Sequence, residues 1–134
     1  MYTLIKITAT GANVPEYTRI FLEAHAACER GMPFLLENGA LVPFGNGSTR
    51  LPTHMTVTPL DGKETLSYEI SPAMVFSVKV SGDPSGMSIG TEYLLSEDGK
   101  SVTSTKVSGS LRGAVLLSKN GAKASGDEIF VSFR

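Results

Sequence analysis

The sequence has little of what several common functions require. It contains one cysteine, Cys28, and no tryptophan. A single thiol cannot form a disulfide within the chain, and it cannot supply a zinc site that needs several thiolates. Twelve basic residues stand against 13 acidic ones, which gives a net charge of −1. Proteins that bind duplex nucleic acid normally carry a basic surplus, so nucleic acid is not an expected partner.

Long apolar runs are also missing. No stretch of the chain approaches the roughly 20 apolar residues that a membrane-spanning helix needs. Lys6 interrupts the apolar residues at the N-terminus, which therefore do not form the apolar core of a signal peptide. The sequence predicts no membrane segment and no signal peptide, and it predicts synthesis in a cytoplasm.

Turn signals recur along the whole chain. Asn-Gly or Asp-Gly pairs stand at 38–39, 61–62, 98–99 and 120–121, and short apolar runs lie between them. These pairs tolerate the positive φ that tight hairpin turns require. Short strands at this spacing predict an all-β fold, either a small sandwich or a barrel.

Residues 15–30 fit two different predictions. Pro15 suits the first position of a helix, Gly31 suits a position just past its end, and the apolar residues between them fall on one stripe. This pattern predicts a short helix. An internal repeat instead places a strand at Thr18–Leu22 followed by a connecting loop, and we favour the strand.

The internal repeat is built on two similar segments. Residues 31–36 and residues 90–95 both read Gly-x-x-aromatic-Leu-Leu, and a polar turn that ends in glycine follows each of them. The two segments start 59 positions apart, and Val42 matches Val102 at a spacing of 60. We therefore predict one β domain over 14–134 that consists of two related halves, 19–73 and 74–134. The alternative is a chance likeness between β-hairpins.

Residues 1–13 form a predicted N-terminal strand or arm ahead of a Gly-Ala-Asn hinge at 11–13. Its larger apolar residues are distributed over both faces of the strand, and they are Tyr2, Leu4, Ile5 and Ile7. An apolar strand ahead of a hinge can pair with an exposed sheet edge on another chain. These four residues are therefore candidate contacts to another subunit. An ordinary first strand of the chain's own sheet is the competing prediction.

The sequence predicts no catalytic, cofactor-binding or metal site. Cys28 follows His25 by three residues, but a nucleophilic pair also needs an orienting group and an oxyanion donor, and neither is evident. His54 precedes a predicted strand and is expected to be an exposed polar position. Residues 45–49 lack the Lys-Ser/Thr of a phosphate-binding loop, which favours a hairpin loop. We predict that the protein is not an enzyme.

The stretch from Ala24 to Pro43 resembles small phage capsid decoration proteins. These proteins show an alanine-rich loop, a glycine, a strand, an Asn-Gly or Asp-Gly turn and a further strand. Residues 112–117 and 125–131 are similar to two of their later strands. The resemblance covers most of the chain from about Thr18 onward. It implies a non-enzymatic structural protein that sits on an icosahedral phage head, commonly as a trimer, and clamps neighbouring copies of the major capsid protein.

The same resemblance implies a location on the virion surface, no cofactor, and an N-terminal arm that contacts the capsid by strand addition. Two alternatives stay open. One is another phage structural part, such as a head-fibre base or a tail component. The other is a small carbohydrate- or ligand-binding β module, which predicts a concave site with a few convergent polar groups.

Overall fold

The computed structural model describes residues 1–7, 15–22, 29–58 and 64–134. These residues form eleven strands and one 3-10 turn at Pro84–Gly86, so the all-β prediction is confirmed. Within these ranges there is no helix that is long and apolar enough to cross a membrane. The predicted hinge at 11–13 and the predicted boundary between residues 13 and 14 lie outside the described residues.

Five strands from the first half of the chain close into a barrel in the order β2-β4-β3-β5-β6. The strands are β2 (Thr18–Leu22), β3 (Pro33–Glu37), β4 (Ala40–Pro43), β5 (His54–Thr56) and β6 (Glu64–Glu69). The β2–β4 pair is parallel, and the other four neighbouring pairs are antiparallel.

The strand at 18–22 confirms the favoured prediction for that segment. The helix predicted over 15–30 is wrong for residues 15–22 and 29–30, which hold no helix. Pairing with β6 and β4 stabilises the extended conformation, and these long-range contacts outweigh the local helical periodicity. Residues 23–28 lie outside the described part of the chain.

The second half of the chain repeats the topology of the first. Its strands are β7 (Met74–Ser81), β8 (Glu92–Leu95), β9 (Val102–Lys106), β10 (Ala114–Ser118) and β11 (Glu128–Ser132). They are ordered β7-β11-β10-β8-β9, and a parallel pairing of β7 with β9 completes the ring. The second barrel carries one addition, β1 (Thr3–Ile7), which pairs antiparallel with β7.

The two barrels agree in strand register as well as in strand order. Ile20 lies opposite Thr65 in the first barrel, and Val78 lies opposite Ile129 in the second. The β3–β5 and β5–β6 ladders of the first barrel stay in step with the β8–β10 and β10–β11 ladders of the second in this alignment. Equivalent pairs are Ile20 and Val78, Phe34 and Tyr93, His54 and Ala114, Thr56 and Leu116, Thr65 and Ile129, and Ser67 and Val131.

The sequence match of Val42 with Val102 is one residue out of step with the structure. Leu41 lies opposite Leu36, and Val102 lies opposite Leu95, so Leu41 is the structural equivalent of Val102. The turn between the two strands is longer in the second half, and this difference accounts for the shift. Turn length, which differs between the halves, displaces the sequence alignment but not the topology.

The two halves share one apolar core. Leu35, Met55 and Tyr68, on the first barrel, join the large cluster formed by the second barrel. The 43–45 segment also meets the second half, because the ring of Phe44 packs edge-on to that of Phe133 at a centroid distance of 6.3 Å. The two halves therefore bury apolar surface against each other and do not form two independent cores.

Candidate interaction site

The N-terminal strand packs against the body of its own chain. Tyr2 is 4% exposed, and its ring lies 6.2 Å from that of Phe76 and 5.4 Å from that of Phe133. Leu4 and Ile7 are half-buried against the same core. Ile5 is half-buried and lines a groove on the outer face of the sheet. The structure thus places β1 as a first strand of the second barrel's sheet, and contact of these residues with another subunit stays a prediction.

The backbone of Tyr2 is held by the first half of the molecule. Its N–H donates to the carbonyl of Gly31 at 2.9 Å, and the N–H of Gly31 donates to the carbonyl of Thr56 at 2.9 Å. Gly31 has a φ of +74°, and an added Cβ would lie 2.6 Å from the carbonyl oxygen of Tyr2. Only glycine permits both the conformation and the close approach. We call Gly31 and its Thr56 backbone partner the Gly31 cradle.

Thr56 fixes the loop that carries this cradle. Its Oγ1 accepts from the N–H of Met32 at 3.0 Å and donates to the carbonyl of Glu29 at 2.5 Å. Thr56 is buried, and these bonds satisfy a hydroxyl that would otherwise be costly to remove from water. In the first half, the side chain of Thr56 therefore holds residues 29–32 in place. The equivalent residue in the second half is Leu116, which has no side-chain hydroxyl to make these bonds.

A cleft of about 470 Å³ opens where β1 meets the first barrel. Its lining includes Tyr17, Arg30, Val57, Tyr68 and the Met1–Leu4 segment. Tyr17 is 46% exposed, and its ring tilts by 47° against that of Tyr68 at a centroid distance of 6.1 Å. Arg30 is exposed and takes part in none of the ion pairs found among the described residues.

The electrostatics of the cleft follow from burial. Burial raises the pKa of Tyr68 and holds the pKa of Tyr2 well above its ordinary value, so both phenols stay neutral. Burial and then the nearby Lys79 lower the pKa of the Met1 amine. The cleft thus combines neutral aromatic surface with the cationic side chain of Arg30, and it can accept a flat or apolar group that carries a negative charge.

The expectation for His54 is wrong. The residue is 8% exposed because it begins β5, where it lies opposite Phe34 on one side and Glu69 on the other. Its Nδ1 lies 2.9 Å from Oγ1 of Thr53, and burial lowers its pKa. The sequence shows that a histidine precedes a strand, but barrel closure, which buries it, depends on distant residues.

The other chemical candidates give no assembled site. His25 and Cys28 lie outside the described residues. Within the described ranges, no group of three or more His, Cys, Asp or Glu residues is placed to hold a metal ion. The loop at 45–49 contacts the second half, where the N–H of Arg112 donates to the carbonyl of Ser48 at 2.8 Å. The loop thereby contributes to the contact between the halves.

Comparison of the chain with protein-family models, with curated proteins and with solved structures finds no match. The resemblance to decoration proteins therefore rests on the sequence motifs alone. Sequence reasoning also missed the pairing of Tyr17 with Tyr68 and the cradle at Gly31. The one available signal for the cradle was the recurrence of Gly31 as Gly90 in the repeat.

Proposed function

We propose that this chain is a non-enzymatic virion structural protein that decorates an icosahedral phage capsid and clamps neighbouring copies of the major capsid protein. The observation that carries the proposal is the presence of two barrels with one topology and one register in the same chain. A capsid presents the same subunit many times at regular spacing. Two related units offer related surfaces to two neighbouring subunits, and contacts made together reinforce each other through effective concentration.

The position of β1 changes the way in which the N-terminus contributes to this function. Because Tyr2 belongs to the core, residues 1–7 act as part of the folded body rather than as a free arm. Contacts with the capsid then come from the outer side of β1, where Lys6 is exposed and Ile5 is half-buried. Association into a trimer, which the resemblance implies, remains part of the proposal.

The first test is the copy number of the chain in purified particles of the phage or prophage that encodes it, measured by quantitative mass spectrometry. A number comparable to that of the major capsid protein supports decoration. A few copies per particle would instead indicate a head-fibre base or a tail component. Complete absence from the particles would contradict every virion role.

A second test measures the effect of the chain on the capsid. Purified protein is added to particles that lack it, and the temperature of capsid disruption is recorded. A clamp that joins neighbouring subunits raises this temperature, and an unrelated protein of the same size serves as the control. If the protein binds the particles without raising the disruption temperature, it attaches to the capsid but does not stabilise it, and the clamping role is contradicted.

The cleft supports a second candidate function, the binding of a small carbohydrate or other ligand. It is concave, and Tyr17, Tyr68 and Arg30 converge on it, as this alternative requires. A glycan array tests the idea directly. Tyr17→Ala removes an exposed ring, so it should abolish any ligand binding while the protein stays folded; unchanged binding would place the ligand elsewhere.

A further inference from the structure

The second barrel contains a cradle with the same backbone pattern as the Gly31 cradle. The N–H of Gly90 donates to the carbonyl of Leu116 at 2.8 Å, as Gly31 donates to Thr56. The N–H of Leu116 donates to the carbonyl of Thr91 at 3.0 Å, and the bond from Thr56 to Met32 has the same length. The φ of Gly90 is +85°, again in the region that favours glycine. We call Gly90 and its Leu116 partner the Gly90 cradle.

The two cradles differ in what lies against them. The carbonyl of Gly31 accepts from the N–H of Tyr2, whereas no described residue donates to the carbonyl of Gly90. An added Cβ at Gly31 would meet the backbone of Tyr2, whereas one at Gly90 would meet no described atom within 4 Å. Ile89, next to Gly90, is 69% exposed. The second cradle has the geometry of the first but no segment of the described chain on it.

The surroundings of the Gly90 cradle are apolar. The residues that take the places of Tyr17, Arg30 and Val57 are Val75, Ile89 and Leu117 in that order. Val75 and Leu117, together with Ile5 and Phe130, line a surface groove of about 360 Å³. An open backbone acceptor thus lies in the same region of the fold as a groove that can take a large apolar side chain. The equivalent acceptor in the first half, the carbonyl of Gly31, holds the backbone of Tyr2, whose ring packs against Phe76 and Phe133.

We propose that the Gly90 cradle and this groove bind an extended segment of the major capsid protein. The segment donates a backbone N–H to the carbonyl of Gly90 and places a large apolar side chain against Leu117 and Val75. Main-chain hydrogen bonds then give affinity, and the groove selects the side chain. The identity of the partner rests on the proposed function, whereas the geometry of the site does not.

The charge of the groove defines the segment further. Lys6 and Arg134 also line the groove, and neither side chain takes part in an ion pair within the described chain. Glu92, on strand β8, which pairs with β10, is already bonded to Arg112 at 3.0 Å. An acidic residue beside the apolar one would therefore complement this surface and increase the rate of association.

A synthetic peptide of residues 1–7 is the first probe, because this is the segment that fills the equivalent cradle. It is titrated into the full chain while backbone amide signals are followed by NMR. The expected result is saturable shifts at Ile89, Gly90 and Leu117 and none at Gly31. Shifts at Gly31 would indicate exchange of β1 instead, and that result, or no saturable shift at Gly90, would overturn the proposal.

Two variants and a second peptide sharpen this titration. Ile89→Asp alters an exposed side chain and should weaken peptide binding at least tenfold. Arg30→Asp changes the equivalent position in the first half and should leave binding unchanged; equal losses in both variants would contradict the site. A peptide with K6E should bind more tightly than the parent at low salt and no more tightly at high salt.

Crosslinking identifies the natural occupant. A photoreactive amino acid replaces Ile89, the protein is added to particles that lack it, and the crosslinked peptides are sequenced. A single segment of the major capsid protein is the expected partner, and a crosslink to a second copy of this chain would overturn the proposal. If Ile89→Asp binds particles as well as the original chain, the inference fails and the proposed function stands. If the peptide docks at Gly90 but the chain never binds particles, the proposed function fails.

Discussion

The two barrels have the same strand order and register but different interiors. At equivalent buried positions the second barrel has Leu116, Ile129 and Val131, and the first has Thr56, Thr65 and Ser67. The apolar cluster inside the first barrel comprises three buried residues with Ile20 packed against them, whereas the second barrel forms most of the main core. One strand topology is thus compatible with both a polar and an apolar set of buried side chains. The turns and the alternation of side chains along the strands therefore specify the topology more than the polarity of the barrel interior does.

A polar interior is acceptable only where its hydrogen bonds are made. Oγ1 of Thr65 donates to the carbonyl of Thr58 at 2.6 Å, and Thr56 is bonded as described above. Oγ of Ser67 has no partner among the described residues. The first barrel therefore gains less from its interior than the second does, and it depends more on the contact of its outer face with the second half.

The largest effect is expected where β1 joins the two halves. Tyr2→Ala removes a buried ring that contacts Phe76 and Phe133 and should lower the free energy of unfolding by about 3–5 kcal/mol. Tyr2→Phe is the matched control, because the hydroxyl of Tyr2 is buried without a partner in the described structure. It should cost nothing or stabilise slightly. Urea unfolding followed by circular dichroism measures both, and a small loss in Tyr2→Ala would contradict a core role for β1.

A reciprocal exchange between equivalent positions tests the difference in interiors. Val131→Ser places an unpaired hydroxyl and a small cavity in the apolar barrel and should cost about 2–4 kcal/mol. Ser67→Val removes an unpaired hydroxyl from the other barrel and should stabilise it by about 1 kcal/mol. The two free energies of unfolding should move in opposite directions. Destabilisation by both variants would show that Ser67 has a partner that matters.

The contact between the halves can be weakened at one hairpin turn. Gly99 has a φ of +73°, and an added Cβ would lie 2.6 Å from the carbonyl oxygen of Phe44. Gly99→Ala should therefore cost about 2–3 kcal/mol, which combines backbone strain with a steric clash. Gly39 lies in the equivalent turn at a φ of +78° with no described atom nearby, so Gly39→Ala should cost only about 1 kcal/mol. Thermal unfolding of the two variants measures the difference, and equal losses would show that the contact at Phe44 adds nothing.

The sequence contains enough to predict the duplicated β fold but not the candidate site. The repeat around Gly31 and Gly90 correctly favoured a strand at β2, because equivalent segments of a duplicated fold adopt the same structure. The burial of Tyr2 and His54 was not predictable, since it arises from strands far apart in the chain. Similarly, a glycine in the sequence indicates a turn, but it does not show that its carbonyl accepts a bond from another strand.

The smallest expected effect is a pH dependence confined to the first barrel. Burial lowers the pKa of His54 below its ordinary value of 6.5, and the opposing effect of Glu69 is weaker. The unfolded chain then takes up a proton at a higher pH than the folded chain does. Stability is therefore fully present above pH 6.5 and is lost as the pH falls through the folded pKa, by at most about 1.4 kcal/mol per pH unit.

Amide hydrogen exchange can separate this effect by barrel, because the second barrel has Ala114 in the place of His54. Between pH 7 and pH 5, after correction for intrinsic exchange rates, the protection of the Thr56 amide should decrease more than that of the Leu116 amide. His54→Ala should remove the difference in pH dependence between the two amides. If both amides lose protection equally in the original chain, the halves unfold as one unit and the weaker interior of the first barrel has no separate consequence.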